Sequence, residues 1–422
     1  MTDLAIFGGP KTITRPFAPY RSIGREEVAA AAAVVETGVL SKFLAAWDPD
    51  FYGGQHVQAL ERAWEEYLSV KHAVTVNSAT SGLIAAVGAI GIEPGDEVIV
   101  SPWTMSASAT AILVWNAIPV FADIEAETFN LDPVSVEKNI TPYTRAIMVP
   151  DIFGHVADLD AIMKIARKHH LQVIEDAAQA PGALCRGQYA GTIADIGVFS
   201  LNCHKHIHTG EGGVCVTNDA HLAERLQLIR NHAETVVEDK GVDDLSNMIG
   251  FNFRMTEIEA AIGFEQLKKL NTLMSRRIAM ADRLTAGLDG LKGLRPPIVK
   301  KDCTHVYYVY PLLYSPEETG ISRDKIFKAL VAEGAPIADR YVNIHLLPIY
   351  QKKIAYGKTG FPWSADFYRG QVSYEKGICP VAETLQDKRF LAIRMIYAYT
   401  DEDLDLITEA FHKVWDNLSL LG

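Results

Sequence analysis

The sequence is poor in cysteine and contains no CxxC pair. Its five cysteines, Cys185, Cys203, Cys215, Cys303 and Cys379, are scattered along 422 residues. An odd number at such wide spacing argues against a disulfide framework and against a structural zinc site. We therefore expect a protein of the reducing cytoplasm.

The sequence also lacks basic runs and a secretory leader. It has 40 Lys and Arg against 52 Asp and Glu, a net charge of -12, so nucleic acid is not an expected partner. The N-terminus has no basic stretch followed by an apolar run, so we expect no secretory signal. The uncharged stretch between Glu97 and Asp123 contains Pro102, Asn116 and Pro119. We interpret it as strand, loop and helix, and expect no membrane span.

The remaining composition, 48% hydrophobic and 22% charged, is typical of a folded chain of two or three domains. Short runs rich in Val and Ile alternate with helical patterns over the first 220 residues. Runs without polar alternation predict strands covered on both faces, and the alternation predicts an α/β fold with a mostly parallel seven-stranded sheet. The predicted strands are 72–76, 96–101, 119–123, 145–152, 171–176, 195–200 and 213–218.

The second half of the chain has a different pattern. A long helix is predicted from Met255 to about Leu288, followed by an aromatic strand over 304–314 and further helices near 322–333 and 400–417. Thr400 and Asp403 are a predicted capping pair for the last helix. The predicted domains are an N-terminal arm, a large α/β domain and a small C-terminal α+β domain, spanning 1–30, 31–270 and 271–422.

Polar residues follow the predicted strands at the sheet edge where such folds bind ligands. The segment Asn77–Gly82 leads from a strand into a helix, and its N–H groups suit a phosphate, although a simple Ser/Thr cap explains it equally well. Asp176 ends a buried strand, where an unpaired carboxylate is costly. It pairs either with a nearby cation or N–H group, or with a protonated heteroaromatic nitrogen.

Lys205 lies between two predicted buried strands, just before the glycine-rich turn Gly210–Gly213. Enclosure lowers the pKa of a lysine and makes its amine a nucleophile that can form a Schiff base. Pyridoxal phosphate needs such a lysine for its aldehyde, a carboxylate for its ring nitrogen and a helix start for its phosphate. Pyridoxal 5'-phosphate is therefore the predicted cofactor.

Five stretches resemble the sugar aminotransferases of the DegT/DnrJ/EryC1/StrS group, a fold-type-I pyridoxal-phosphate family. They are NSATSGL (77–83), GDEVIVSPWT (95–104), EDAAQAPGA (175–183), FSLNCHKHIHTGEGG (199–213) and GFNFRMTEIEAAIGFEQL (250–267). The resemblance covers most of the chain and is strongest from about residue 50 to 275.

The resemblance implies a role for several residues. Lys205 would form the internal aldimine, Asp176 would pair with the pyridinium nitrogen, and Gln179 would lie near the ring hydroxyl. Asn252 matches an Asn that reaches the phosphate from a neighbouring subunit, which implies a homodimer with shared active sites. The phosphate would be held by three hydroxyl residues: Thr80, Ser81 and Ser200.

Two positions depart from the family pattern. The aromatic residue that usually stacks on the ring is replaced by Met105, so either Met105 packs on the ring or Trp103 takes that role. Ala79 stands in the phosphate loop where Gly is usual. Both residues and Trp103 remain among the expected cofactor contacts.

Histidines surround the predicted lysine. His204, His206 and His208 alternate, as metal ligands on an extended segment would, but no Asp, Glu or Cys at ligand spacing completes a site. We therefore expect no metal. His204 and His206, together with His345, are interpreted as polar lining of a sugar site.

The expected reaction is transfer of an amino group from L-glutamate or L-glutamine to a keto-sugar, nucleotide-linked, or to a keto-cyclitol. Lys205 would carry the α-proton of the donor as base and acid. Two alternatives are a pyridoxal-phosphate sugar dehydratase and a non-catalytic regulatory relative. The dehydrating relatives have His in place of the lysine, whereas counting back six residues from Glu211 arrives at Lys205. A nicotinamide enzyme is disfavoured because no GxGxxG follows the first strand.

Overall fold

The computed structural model describes residues 4–395 and 399–422. The strands, in chain order, are β1 (His72–Val76), β2 (Glu97–Val100), β3 (Ile118–Phe121), β4 (Thr144–Pro150), β5 (Gln172–Asp176), β6 (Leu184–Cys185), β7 (Gln188–Tyr189), β8 (Ile196–Ser200), β9 (Gly213–Thr217), β10 (Leu294–Arg295), β11 (Tyr310–Tyr314), β12 (Ile337–Ala338) and β13 (Phe390–Ile393).

The longer helices are α1 (Arg25–Thr37), α2 (Gln55–Leu68), α3 (Ala79–Ala89), α4 (Ala107–Val114), α5 (Pro133–Lys138), α6 (Leu159–His169), α7 (Ala220–Arg230), α8 (Val237–Lys240), α9 (Glu257–Leu288), α10 (Pro316–Thr319), α11 (Arg323–Ala332), α12 (Pro348–Gln351), α13 (Pro380–Thr384) and α14 (Asp401–Asp416). Short 3-10 turns cover Ala5–Phe7, Pro49–Tyr52, Ile152–Gly154, Ala233–Thr235, Ile344–Leu346 and Leu418–Leu420, and a π turn covers Leu385–Arg389.

The main sheet has the order β1-β9-β8-β5-β4-β2-β3 within the described residues. Neighbouring strands from β8 to β3 are parallel, and β9 runs antiparallel to both of its neighbours. The α/β fold with a seven-stranded, mostly parallel sheet is thus confirmed. Because β1, β5 and β8 run in the same direction, their carboxyl ends meet at one edge.

Side chains of each strand alternate between two apolar cores, one on each face of the sheet. On β4, Ala146 and Met148 belong to one core, whereas Ile147 and Val149 belong to the other. This double cover explains why the strands appear as unbroken apolar runs in the sequence.

The C-terminal part forms a smaller antiparallel sheet with the order β10-β11-β13-β12. The predicted aromatic strand over 304–314 is wrong in its first half, since only Tyr310–Tyr314 is a strand. Tyr307 has a φ of 49°, in the left-handed region, and this turn interrupts the extended chain. The predicted capping pair of α14 is confirmed, because Thr400 and Asp403 form a capping box.

Packing crosses the predicted domain limits at three places. The N-terminal residues Leu4 and Ile13 pack into the core of the small sheet. Helix α9 contributes its first half to the core of the large sheet and Met280, Leu284 and Leu288 to that of the small one. Between β12 and β13, several apolar residues pack on the large-sheet core: Ile344, Tyr350, Trp363, Tyr374, Cys379 and Ala382.

Cys185 and Cys303 form a disulfide across 118 residues, which corrects the expectation of a chain without such bonds. The pair comes together because β6 and the segment before β11 lie side by side, with Cys185 and Cys303 as bridge partners. The other cysteines, Cys203, Cys215 and Cys379, are free. In the described part of the chain, every helix is too short or too polar to cross a bilayer.

Candidate active site

A hydroxyl-rich loop joins β1 to the start of α3. Ser78 caps the helix by accepting the N–H of Ser81 at 3.0 Å, and the Ser81 hydroxyl donates to Asn77 at 2.6 Å. The first N–H groups of a helix have no partner within the helix and favour an anion. Ala79 and Thr80 occupy the first two positions of α3, so the predicted phosphate residues lie at a helix start.

Strand β9 begins directly against this loop. A Cβ on Gly213 would lie 2.7 Å from the backbone nitrogen of Ala79, so only glycine allows this approach. Gly213 pairs with Val76 on one side and with Ser200 on the other. The register therefore brings the buried Ser200 to the same edge as the loop.

Asp176 lies at the carboxyl end of β5, and both of its carboxylate oxygens accept hydrogen bonds. The Ser108 hydroxyl donates to one oxygen at 2.7 Å, and the N–H of Ala178 donates to the other at 3.2 Å. Burial raises the pKa of Asp176, while Ser108 and the charge of Lys205 act in the opposite direction. Asp176 is thus a buried carboxylate with an electrostatic partner in Lys205.

Lys205 lies in the loop between β8 and β9. Backbone bonds tie this loop: Leu201 N–H to Gly212 carbonyl, and Lys205 N–H to Asn202 carbonyl. Burial lowers the pKa of Lys205 to about 8, and the charge of Asp176 acts in the opposite direction. At pH 7 about a tenth of this amine is therefore the free base that attacks aldehydes, a far larger share than in an exposed lysine.

Gln179 is buried and engaged at both ends of its amide. Its oxygen accepts the N–H of Phe153 at 2.8 Å, and its nitrogen donates to the Tyr341 hydroxyl at 3.2 Å. The contact with Tyr341 brings the segment before α12 to the Asp176 edge of the sheet.

The two candidates for the ring-stacking position differ in exposure. Trp103 is fully buried and packs against aromatic rings of Phe129 and Phe390. Met105 is 64% exposed, and its carbonyl accepts a hydrogen bond from Ser108, the residue that contacts Asp176. Of the two, Met105 has a surface that a ring can contact.

Asn252 is exposed beside the phosphate loop of its own chain. Its carbonyl accepts from the Asn77 side chain at 3.3 Å, and its own side-chain oxygen accepts from Arg254 at 2.9 Å. Its predicted reach into a neighbouring subunit stays a prediction.

The three histidines around Lys205 differ in exposure. His204 is exposed, His208 is half-buried, and His206 is fully buried with a ring nitrogen 2.8 Å from the Val306 carbonyl. Burial holds the pKa of His206 well below its usual range. No cluster of three His, Cys, Asp or Glu suited to a metal occurs in 4–395 and 399–422. His206 has no surface for a sugar.

His345 is also fully buried, with one ring nitrogen 3.0 Å from a Glu383 carboxylate oxygen. Glu383 in turn accepts the N–H groups of Gly377 and Cys379. This network fixes the turn before α13. His345 therefore has no exposed surface for a sugar, and its ring packs 5.9 Å from that of Phe121.

The sequence analysis missed three residues that contact the predicted ones. Ser108 contacts Asp176, Tyr341 contacts Gln179, and the Tyr308 ring lies under the amine of Lys205. Ser108 was within reach of sequence reasoning, because it opens a helix just after a strand end. Tyr308 and Tyr341 approach from the C-terminal part, and no local pattern marks them.

The side chains at this edge of the sheet match the chemistry of pyridoxal phosphate. A lysine with a lowered pKa suits its aldehyde, a buried carboxylate suits a protonated ring nitrogen, and a hydroxyl-rich helix start suits its phosphate. These three features lie at one edge of one sheet. Fold and site together define a pyridoxal-phosphate-dependent aminotransferase class of protein.

Comparison with known proteins agrees with this class. The model of the DegT/DnrJ/EryC1/StrS aminotransferase family matches residues 45–388. GDP-perosamine synthase of Caulobacter vibrioides is 37% identical over 302 residues, covering 70% of this chain and 79% of the relative. The putative L-glutamine:3-amino-2,3-dideoxy-scyllo-inosose aminotransferase of Streptoalloteichus tenebrarius is 32% identical over 433 residues, covering 100% and 99%.

A solved structure is similar over nearly the whole chain. The crystal structure of S. venezuelae DesV with a ketimine intermediate has a TM-score of 0.76 and 30% identity, covering 93% of this chain and 94% of that one. The chain belongs to the DegT/DnrJ/EryC1/StrS aminotransferase family. It is a pyridoxal-phosphate-dependent enzyme, as its own lysine and carboxylate predicted.

Proposed function

We propose that the protein transfers an amino group from L-glutamate or L-glutamine to a keto-sugar, nucleotide-linked, or to a keto-cyclitol. The observation that carries this proposal is the pairing of half-buried Lys205 with buried Asp176 at one sheet edge, where their opposite charges influence each other's pKa. Two relatives support these acceptor classes: the GDP-perosamine synthase supports a nucleotide-linked sugar, and the putative inosose aminotransferase supports a cyclitol.

Asp176 and Lys205 would have different roles in the reaction. The cofactor supplies an electron sink for the carbanion when bound. Asp176, held by Ser108 and Ala178, would keep the ring nitrogen protonated because a buried negative charge favours the positive form. Lys205, with a pKa of about 8, would take the α-proton of the donor as a neutral amine and return it as an ammonium.

The remaining predicted contacts would fix the orientation of the cofactor. Thr80 and Ser81 at the start of α3 and Ser200 at the end of β8 would hold the phosphate, and Met105 would cover one ring face. Gln179 would lie at the ring hydroxyl. The exposed His204 is the histidine with a surface available to a sugar.

The same residues argue against the alternative functions. A dehydratase of this family would carry His in place of Lys205, and a regulatory relative would be expected to lose Lys205 or Asp176. Both residues are present here, and they interact electrostatically.

The test is the visible absorbance of the purified protein loaded with pyridoxal phosphate. We expect a Schiff-base band that glutamate or glutamine bleaches and a keto-sugar or keto-cyclitol restores. Lys205→Ala should lose the band, while Lys164→Ala, a change at an exposed lysine of α6, should keep it. A band that neither donor bleaches would contradict transamination from these donors.

We also propose that the enzyme is a homodimer with shared active sites. Five exposed apolar residues form what we name the 40–249 patch: Leu40, Leu44, Trp47, Leu245 and Ile249. Both segments are bonded to the stretch 231–235, because the Asn231 amide donates to the Leu44 carbonyl and the Gly250 N–H donates to the Glu234 carboxylate. The patch adjoins Asn252, so a second copy on it would stand beside the phosphate loop.

The proposed location is the cytoplasm, where an exposed free thiol such as Cys203 persists. The Cys185–Cys303 disulfide is the feature that bears against it. Thiol titration of unfolded protein purified without reductant gives five thiols if the disulfide is reduced in the cell and three if it is formed.

A further inference from the structure

The amine of Lys205 lies above an aromatic ring. Its Nζ atom is 4.3 Å from the centroid of the Tyr308 ring. An ammonium within about 6 Å of a ring centroid is attracted by the electron-rich face. Tyr308 comes from the segment between β10 and β11, so the small C-terminal part reaches the lysine through this side chain.

The backbone next to Tyr308 has a conformation that non-glycine residues rarely adopt. Tyr307 has a φ of 49°, and its neighbours hold it there. Its carbonyl accepts from buried Arg277 at 3.1 Å, and its N–H donates to the His305 ring at 3.0 Å. Strained residues of this kind persist only where the surroundings determine them, and they cluster at functional sites.

A second left-handed residue meets the same segment. Phe153 has a φ of 60°, and its carbonyl accepts the N–H of Tyr308 at 2.8 Å. The N–H of Phe153 donates to Gln179, the predicted partner of the ring hydroxyl. Two strained turns therefore fix Tyr308 relative to a predicted cofactor contact.

We propose that Tyr308 is a positioning residue for transamination, whose ring supports the amine of Lys205 whenever that amine is not joined to the cofactor. This inference rests on the proposed function of Lys205. The ring keeps the released amine near Asp176 and favours its protonated form, the form that returns a proton.

The Tyr308 ring and the burial of Lys205 have opposite effects on the pKa of the lysine. Burial lowers the pKa of the amine to about 8, and the charge of Asp176 opposes that shift. An aromatic face also raises the pKa of the lysine, because it stabilises the ammonium but not the free amine. Removal of the ring should therefore lower the pKa of Lys205 further.

The test compares Tyr308→Leu and Tyr308→Met, which remove the ring, with Tyr308→Phe, which keeps it. The protein is used without cofactor, and labelling of Lys205 by acetic anhydride is followed by mass spectrometry as a function of pH. We expect the pKa of Lys205 to fall by about 0.3 to 0.7 pH unit in the Leu and Met variants, since a cation–π contact changes the equilibrium roughly 2- to 5-fold. The Phe variant should keep the wild-type value.

A wild-type pKa in both ringless variants, folded as judged by circular dichroism, would overturn the proposal. So would a shift in Tyr308→Phe as large as that in Tyr308→Leu, because the hydroxyl would then be responsible. Two variants without the ring are used so that the test can still be made if one of them fails to fold. The labelling is independent of the cofactor, so absence of a Schiff-base band in wild type would refute the proposed function and leave this result interpretable.

Discussion

Asp176 is one of three buried acids that lie next to each other. Asp151 and Glu175 are 1% and 0% exposed, and the negative charge of Glu175 helps to raise the pKa of Asp151. Asp151 also donates its N–H to the Asp176 carbonyl at 3.1 Å. Among the described residues, Asp151 Oδ2 and Glu175 Oε1 have no hydrogen-bond partner, and we infer that the two carboxyls share one proton.

Glu175 holds the negative charge of this pair. Its other oxygen accepts the N–H groups of Ile193 and Ala194, at 3.2 and 3.3 Å. Asp151 accepts the N–H of Ala157 with one oxygen, and burial followed by the charge of Glu175 raises its pKa well above the usual range. The proton therefore lies on Asp151, and the pair adds one negative charge behind Asp176 instead of two.

Asp151→Asn should make stability less dependent on pH. The folded protein keeps a proton on Asp151 that the unfolded chain releases near pH 4, so wild-type stability falls as pH rises from there toward the raised pKa. The amide supplies the same hydrogen bond without a titrating proton. Between pH 4 and the raised pKa of Asp151, wild-type unfolding free energy should fall by about 1.4 kcal/mol per pH unit on account of this proton. The variant should lack that part of the decrease.

Urea unfolding between pH 4 and 8 measures this difference. The control is Asp123→Asn, because Asp123 accepts the N–H groups of Val381 and Ala382 at 2.8 and 3.0 Å. That variant should be destabilised at pH 8, since an amide is a poorer acceptor than a carboxylate. Equal pH profiles for wild type and Asp151→Asn would refute the shared proton.

At the residue scale, the sequence allowed Lys205 and Asp176 to be placed because each follows a recognisable buried strand. The register of a parallel sheet then brings strand ends together without further information. His206 and His345 were assigned to the sugar site on residue type alone, and side-chain burial is a tertiary property. Tyr308 was missed because its contact spans more than a hundred residues.

At the scale of elements, α9 begins with a double cap. Thr256 and Glu259 form a capping box, and the carboxylate of Glu257 accepts the N–H groups of Gly54 and His56 at 3.0 and 2.9 Å. The start of α9 therefore also holds the start of α2. Both helices pack on the core behind the lysine loop.

Thr256→Ala should destabilise the protein by about 1 kcal/mol, because it leaves the N–H of Glu259 without its side-chain acceptor. Urea denaturation at pH 7.5 measures the free energy of unfolding. Ser275→Ala, at an exposed position in the middle of α9, is the control and should be neutral or slightly stabilising. Equal stability of Thr256→Ala and Ser275→Ala would contradict the role of the cap.

The elements of the large sheet were predicted to within about two residues, because buried parallel strands have an unbroken apolar pattern. The strand over 304–314 was predicted too long, since β-rich composition does not reveal the left-handed turn at Tyr307. The Cys185–Cys303 bond was not foreseen either. Its two cysteines become neighbours only after β6 has folded against a distant segment.

At the scale of the whole molecule, the 40–249 patch predicts the oligomeric state. Leu44 and Ile249 are 49% and 66% exposed. Single exposed apolar residues are common on protein surfaces, but several together are typical of an interface. We expect wild type to elute with a mass of twice 46.4 kDa. Leu44→Glu combined with Ile249→Glu should shift it to the monomer, since charge buried in an interface is unfavourable.

Light scattering after size-exclusion chromatography measures these masses. The control is Val134→Glu, at a 75% exposed position on α5 outside the patch, which should leave the mass unchanged. If the active sites are shared, the monomeric variant should also bind pyridoxal phosphate more weakly. A wild-type protein that stays monomeric at assay concentration would refute the homodimer.

Helix α9 packs against both the large-sheet core and the small-sheet core. Near its start, Gln266 accepts the N–H of His208 at 3.2 Å and so braces the lysine loop from behind. Near its end, Leu284 and Leu288 are enclosed by the small-sheet core. Because one helix contacts both, we expect a substitution in the small-sheet core that shifts α9 to displace the loop of Lys205. Such a substitution would lower activity although it contacts no substrate.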